Sequence, residues 1–138
     1  MKLLSPTDCI ELLPATREEA QAAGDLFPSI LASHCQPGYY RTAFAEGWSK
    51  PYTVWQDGRQ LGVVGWSRSC DGGLWFDCVL AFKPLPDNAA MWEAFKLIEA
   101  QEKPHYTRFI TRRRGMVALA GAHGFTAQGV MMQKEGNS

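Results

Sequence analysis

The sequence predicts a single domain of the α/β class built on a mixed, α+β-type sheet, and three observations lead there. The chain has 138 residues, 46% of them hydrophobic and 20% charged, which suits one packed core and is too short for two. Its middle third carries three consecutive β-rich runs separated by turn residues, the mark of an antiparallel meander. Segments of helical period flank that meander, and after it they alternate with strands, which requires crossover helices packed on the sheet faces. The domain is expected to span residues 1–138.

Each element has a local reason. Cys9-Ile10-Glu11-Leu12-Leu13 is a short apolar run ended by Pro14, as a first strand would be. Thr16 and Glu19 stand at capping-box spacing, where each side chain satisfies the other's exposed backbone N–H. Ala20, Ala23, Phe27, Ile30 and Leu31 then share one helical face. Pro28 inside that pattern would cost about 3 kcal/mol, so Gly24-Asp25 is expected to end one helix and cap another. A short helix over 40–48 fits between Pro37-Gly38 and Pro51.

Tyr52-Thr53-Val54-Trp55 and the run 60–66 flank Asp57-Gly58, a pair that tight hairpin turns with positive φ prefer. Asp71-Gly72-Gly73 turns the chain into a third run over 74–82. The segment Lys83-Pro84-Leu85-Pro86-Asp87 breaks the pattern. Asp87 or Asn88 can then cap a helix with Met91, Trp92, Phe95 and Ile98 on its inner stripe, stopped by Pro104. A strand over 105–111, a small-residue helix over 115–123 ended by Gly124, and a last strand over 126–134 complete the order.

Composition removes several function classes. Fourteen Lys and Arg balance fourteen Asp and Glu, so the chain lacks the broad positive field that non-specific nucleic-acid or anionic-membrane binding needs. No apolar window reaches a membrane span, and Met1-Lys2-Leu3-Leu4 is too short for a signal peptide, so a cytoplasmic protein is expected. Cys9, Cys35, Cys70 and Cys78 are widely spaced and read as buried or partly buried free thiols. A zinc site from His34, Cys35 and Cys70 or Cys78 has no close cysteine pair behind it, and no metal is expected. His34, His105 and His123 are too scattered for a triad, and no nucleophile-elbow or Walker pattern occurs.

The element order and the ending Phe109-Ile110-Thr111, Ala118-Leu119-Ala120-Gly121-Ala122-His123-Gly124-Phe125 and Gly129-Val130-Met131-Met132 resemble the GNAT superfamily of acyl-CoA-dependent N-acyltransferases. Gly124-Phe125 is the strongest local match, with Gly124 as a left-handed helix exit and Phe125 folding back into the core. The resemblance implies acetyl-CoA or another acyl-CoA as cofactor and an amine acceptor, either a small molecule or a protein. It implies that the strands over 74–82 and 105–111 splay to admit pantetheine beside Val79 and Ala81. Asn88, Ala89 and Ala90 would border the phosphates, and Arg112, Arg113 and Arg114 would lie where the coenzyme passes. Those arginines also suit an acidic protein surface or a solvated helix start.

The family's phosphate loop is glycine-rich, whereas Leu85-Pro86-Asp87-Asn88-Ala89-Ala90-Met91 holds no glycine and no leading cation. Losing two charge-assisted hydrogen bonds would weaken coenzyme affinity by about 3–6 kcal/mol, roughly two to four decades. Counting back from Gly124-Phe125 puts Arg113 near the family's usual Asn and Ala120 at its usual Tyr acid. Asp77 lies near the place many relatives use for a carboxylate base; it reads either as that catalytic base or as a strand residue opposite Arg68 or another cation. Tyr39, Tyr40 and Glu46 fall on the helical region that roofs the acceptor site in the family, and would contact substrate.

A second reading keeps the fold and discards the chemistry. Some bacteriophage internal-virion proteins of similar length share the terminal helix-Gly layout with a weakened coenzyme loop, and this chain is similar to them in size and erosion. It would then be a catalytically inactive module that binds a protein partner in an assembly, in a phage-infected cell or a virion. The aromatic set Tyr39, Tyr40, Trp48, Tyr52, Trp55, Trp66 and Trp75 is expected to be mostly core; several exposed together would favour association with another chain or a homo-oligomer.

Overall fold

The capping box forms as its spacing requires: the Thr16 amide donates to Glu19 Oε1 at 3.0 Å and the Glu19 amide to Thr16 Oγ1 at 3.2 Å. It opens α1 (Arg17–Leu26) in a computed structural model that describes residues 3–4, 10–26, 38–81, 89–111, 114–130, 132, 134 and 136. Gly24 does not end this helix. A Cβ there would lie 2.8 Å from the Arg41 Cα, so the glycine permits close approach to α2 (Tyr39–Glu46) rather than an exit. Phe27, Pro28, Ile30 and Leu31 lie outside the described residues.

One six-stranded sheet runs in chain order: β1 (Leu3–Leu4), β2 (Ile10–Pro14), β3 (Lys50–Gln56), β4 (Arg59–Arg68), β5 (Gly73–Ala81) and β6 (Tyr106–Phe109). Neighbours are antiparallel except β5 and β6, which are parallel. The β3–β4 turn has φ 50° at Asp57 and 77° at Gly58, the two positive values that its residue pair accommodates. The parallel pair needs a crossover, supplied by α3 (Ala89–Glu102). Its stripe Met91, Trp92, Phe95 and Ile98 is buried.

Strand alternation sorts the core into two layers. Val64, Trp66, Leu74 and Phe76 face α3, joined by Ile10, Leu12 and Val54, and Ala120 of α4 (Arg114–Ala122). Val63 and Cys78 face the other way, against Ala20, Ala23, Tyr40 and Phe44 of α1 and α2. At the end of α4, Gly124 has φ 88°, and the Phe125 amide turns back to the Ala120 carbonyl at 3.0 Å. Phe125 then packs its ring 5.1 Å from that of Phe109, as its sequence position suggests.

Several expectations are corrected. The described part of 126–134 forms no strand, and Val130 and Met132 stand 85% and 86% exposed. The stretch Thr126-Ala127-Gln128-Gly129 brings little apolar surface to hold it against the sheet, and Gly129 weakens any strand. Tyr39 and Trp48 are exposed rather than core. Cys78 is a buried free thiol, but Cys70 is exposed in the β4–β5 turn; Cys9 and Cys35 lie outside the described residues. Among the described residues, no helix is long and apolar enough to cross a membrane, and no cluster of ligating side chains could hold a metal.

Candidate functional site

The seam between β5 and β6 begins with local turn chemistry. Gly73 N–H donates to Ser69 Oγ at 3.1 Å, and the Ser69 and Tyr106 hydroxyls both bond to Asp71 Oδ1. These bonds, that from Ser69 the largest, lower the Asp71 carboxyl from an ordinary 3.8 to about 2. Gly73 is required there because a Cβ would lie 2.0 Å from Tyr106 Cζ. The end of the seam at Gly73 and Tyr106 is thereby tied shut.

At the other end the pairing stops. Pairing of β5 with β6 covers Gly73 to Phe76 against Tyr106 to Phe109, while pairing of β5 with β4 continues to Ala81 opposite Gly62. Among the described residues no strand pairs with Val79, Leu80 or Ala81 on the β6 side. Strand edges of this kind keep backbone donors and acceptors that require a partner.

A bulge sits where that pairing stops. Gly65 is opposite Cys78 and Trp66 opposite Phe76, so Asp77 is the extra residue of β5. Phe76 stacks on Phe95 of α3, with ring centroids 3.9 Å apart, whereas Cys78 packs in the α1–α2 layer. Simple alternation would have put both on one face. Asp77, between them, accepts hydrogen bonds from Ser49 Oγ at 2.8 Å and Ser67 Oγ at 3.0 Å, one on each carboxylate oxygen. The Tyr40 hydroxyl donates to the Asp77 backbone carbonyl at 2.9 Å. Gly65 keeps the floor low: a Cβ there would lie 2.6 Å from Cys78 Sγ and 2.9 Å from Ser49 Oγ.

Of the residues singled out from sequence, Asp77 and Tyr40 are in contact, and Val79 and Ala81 lie on the released stretch of β5. Arg68 is not the partner of Asp77; it donates to the Glu102 carbonyl at 2.9 Å. Tyr40 is buried with its hydroxyl engaged, so it supports Asp77 from behind, while Tyr39 is exposed and meets the Tyr40 ring edge-on at 5.3 Å. Glu46 is exposed at the far end of α2, about 10 Å along the axis. Ala89 begins α3, Ala90 packs partly against the core, and Arg114 begins α4, exposed to solvent. Asn88, Arg112 and Arg113 lie outside the described residues. Ala120 is buried in the core, so its position offers no acid.

Sequence reasoning missed Ser49 and Ser67. They stand 28 and 10 residues from Asp77, and no local pattern links them to it.

No protein-family model and no curated protein matches the sequence. Solved structures do match the fold. RimL, the ribosomal L7/L12 α-N-protein acetyltransferase in complex with coenzyme A, is 15% identical over 98% of this chain and 89% of its own, with a TM-score of 0.68. A Salmonella typhimurium acetyltransferase that modifies the N-terminal serine of 50S ribosomal subunit protein L7/L12 is 14% identical over 100% and 92%, at 0.67. A probable GNAT-family acetyltransferase from Chromobacterium violaceum is 17% identical over 93% and 83%, at 0.60. The fold is that of the GNAT acetyltransferases.

Proposed function

We propose that this chain transfers an acyl group from an acyl-CoA to an amine acceptor, a small molecule or a protein terminus. The observation that carries the reading is the one-sided release of β5 after Phe76, with Asp77 delivered by a bulge at the point of release. An extended, amide-bearing arm such as pantetheine would suit an edge where, among the described residues, no strand pairs with Val79 to Ala81 on the β6 side. The thioester would supply an activated acyl carbon. The phosphates would lie near the N-terminal amides of α3, which begins at Ala89 and Ala90, and Arg114 at the start of α4 would add countercharge, with Arg112 and Arg113 next to it in sequence.

Asp77 would take a proton from the acceptor's ammonium onto its carboxylate, freeing a neutral amine to attack the thioester carbonyl carbon. The new C–N bond would replace the broken C–S bond, and coenzyme A would leave as a thiolate protonated from solvent. Ser49 and Ser67 hold the two oxygens in place, and Tyr40 fixes the backbone beneath them. Exposed Tyr39 lines the approach of the acceptor, with Glu46 at the other end of α2. The acetyl transfer named for RimL and the Salmonella enzyme, both matched along nearly the whole chain, supports this class of chemistry.

A second reading, a catalytically inactive module that binds protein within an assembly such as a virion, draws on Pro86-Asp87 in a sequence segment without glycine. One experiment separates the two. Thermal unfolding with acetyl-CoA and longer acyl-CoAs should gain about 2.7 kcal/mol at a hundred times the dissociation constant. Release of free CoA thiol in the presence of amine acceptors should then fall about 10²- to 10⁴-fold in Asp77→Asn, with the coenzyme-induced shift retained. No shift with any chain length would favour the binding module, and a shift with undiminished turnover in Asp77→Asn would remove Asp77 as the base.

A further inference from the structure

We infer that the sheet face bearing Asp77 binds an acidic peptide, with the peptide's amino terminus at Asp77 and a carboxylate of its second or third residue on Arg108. The role of that peptide as acceptor rests on the acyl-transfer reading, while its recognition can be measured without turnover.

Strand register puts the groups concerned on one face. Leu74 and Phe76 face α3, so Trp75 between them faces the side of α1 and α2. Its neighbours across the sheet are Ser67 on β4 and Arg108 on β6, and Tyr106, two residues before Arg108, shares their face. Ser67 is also the residue that donates to Asp77 Oδ1. One row therefore runs from the Asp77 carboxylate past Trp75 to Arg108 and Tyr106. The helices pack on Val63 and Cys78 of this face, whereas Trp75 is half-buried and Arg108 exposed.

Arg108 is placed to receive an anion. Its guanidinium carbon lies 4.1 Å from the centroid of the Tyr106 ring and 5.8 Å from that of Trp75. Such contacts fix a cation without neutralising it. Among the described residues no carboxylate comes within ion-pair distance of Arg108. The Tyr106 ring is itself held, because its hydroxyl bonds Asp71 in the turn that fastens the seam. A guanidinium held this way loses less freedom on binding a carboxylate than a free one would.

Spacing sets the class of ligand. Asp77 stands two residues along β5 and one strand across from Arg108, and the guanidinium leans toward Tyr106, so the two charges are on the order of 10 Å apart. An extended chain advances about 3.3–3.6 Å per residue, so an acidic side chain at the second or third residue reaches Arg108 while the amino group sits at Asp77. The carboxylate of a free α-amino acid, borne on the same carbon as its amine, falls short. Opposite charges at the two ends also fix the direction in which the peptide lies, since Arg108 repels the ammonium that Asp77 attracts.

The test is binding to the full chain without coenzyme, followed by NMR of the arginine and tryptophan side-chain N–H groups. Three probes serve: a tripeptide amide with glutamate third, the same peptide with glutamine third, and 6-aminohexanoate. The glutamate peptide should bind about 5- to 30-fold more tightly than the glutamine one, shifting the Arg108 and Trp75 resonances together, and the gap should narrow at high salt. Arg108→Gln should bring the two peptides to one affinity, and Arg108→Lys, which keeps the charge without the planar fork, should keep part of the preference. Equal affinities in the wild type, no binding of either peptide, or a preference that survives Arg108→Gln would overturn the inference. Binding of 6-aminohexanoate as tight as that of the glutamate peptide would also overturn it, in favour of a small amino acid. A preference that depends on Arg108, with no free CoA thiol released once acetyl-CoA is added, would sustain the recognition and remove the acyl-transfer reading instead.

Discussion

The two ends of the β5–β6 seam are built from the same two strands and behave oppositely. At one end Gly73, Ser69, Asp71 and Tyr106 knot the β4–β5 turn to the start of β6 through hydroxyl and carboxylate contacts. Four residues later the pairing ends, β5 bulges, and Asp77 takes its hydrogen bonds from Ser49 and Ser67 on other strands and loops. A parallel pair fastened at both ends would be a closed sheet. Fastened at one end only, it stays paired from Gly73 to Phe76 and leaves the rest of β5 to pair with β4 alone among the described strands.

Phe76 is the hinge of that comparison, the last residue of β5 paired with β6, buried and stacked on Phe95. Phe76→Ala should cost about 3–5 kcal/mol in urea unfolding, because it leaves a cavity where both ends meet. An effect below about 1 kcal/mol would mean that the ends are held independently.

Gly73→Ala tests the knot. Its Cβ would collide with the Tyr106 ring, so about 1–3 kcal/mol of destabilisation is expected, with the loss appearing as faster hydrogen exchange in 106–109. Unchanged exchange there would show that the turn does not fasten the seam.

A smaller effect comes from pH. Asp71 has its folded pKa lowered to about 2, chiefly by the Ser69 hydroxyl and then by Tyr106, so its contribution is full above 3.8 and fades as pH falls toward 2. Tyr106→Phe should flatten the stability profile in that window and leave neutral pH little changed. An identical acid profile in wild type and variant would remove the Tyr106 contact from the knot.

What could be read from sequence followed short-range rules. The capping box, the Asp57-Gly58 turn, the α3 stripe and the Gly124-Phe125 exit each depend on residues within a few positions, and each is present. The splay between 74–82 and 105–111 came from resemblance; the described pairing of these strands covers Gly73 to Phe76 against Tyr106 to Phe109. The bulge at Asp77 was not legible, because it depends on how Gly65 and Trp66 register against β5. Nor were Ser49 and Ser67, brought in by tertiary contact alone. Gly24 was misread for a related reason: its cause is the Arg41 backbone on another helix. The strand over 126–134 failed because its pattern states what it can pair with, not whether a partner is there.

The most direct measurement is backbone hydrogen exchange across β5 with and without acetyl-CoA. Amides of Val79, Leu80 and Ala81 that gain protection, while Gly73 to Phe76 stay as they were, are the expected result for a slot opened on one side of β5. Equal exchange in both conditions, or protection confined to the knotted end, would contradict that stretch of β5 as the coenzyme site.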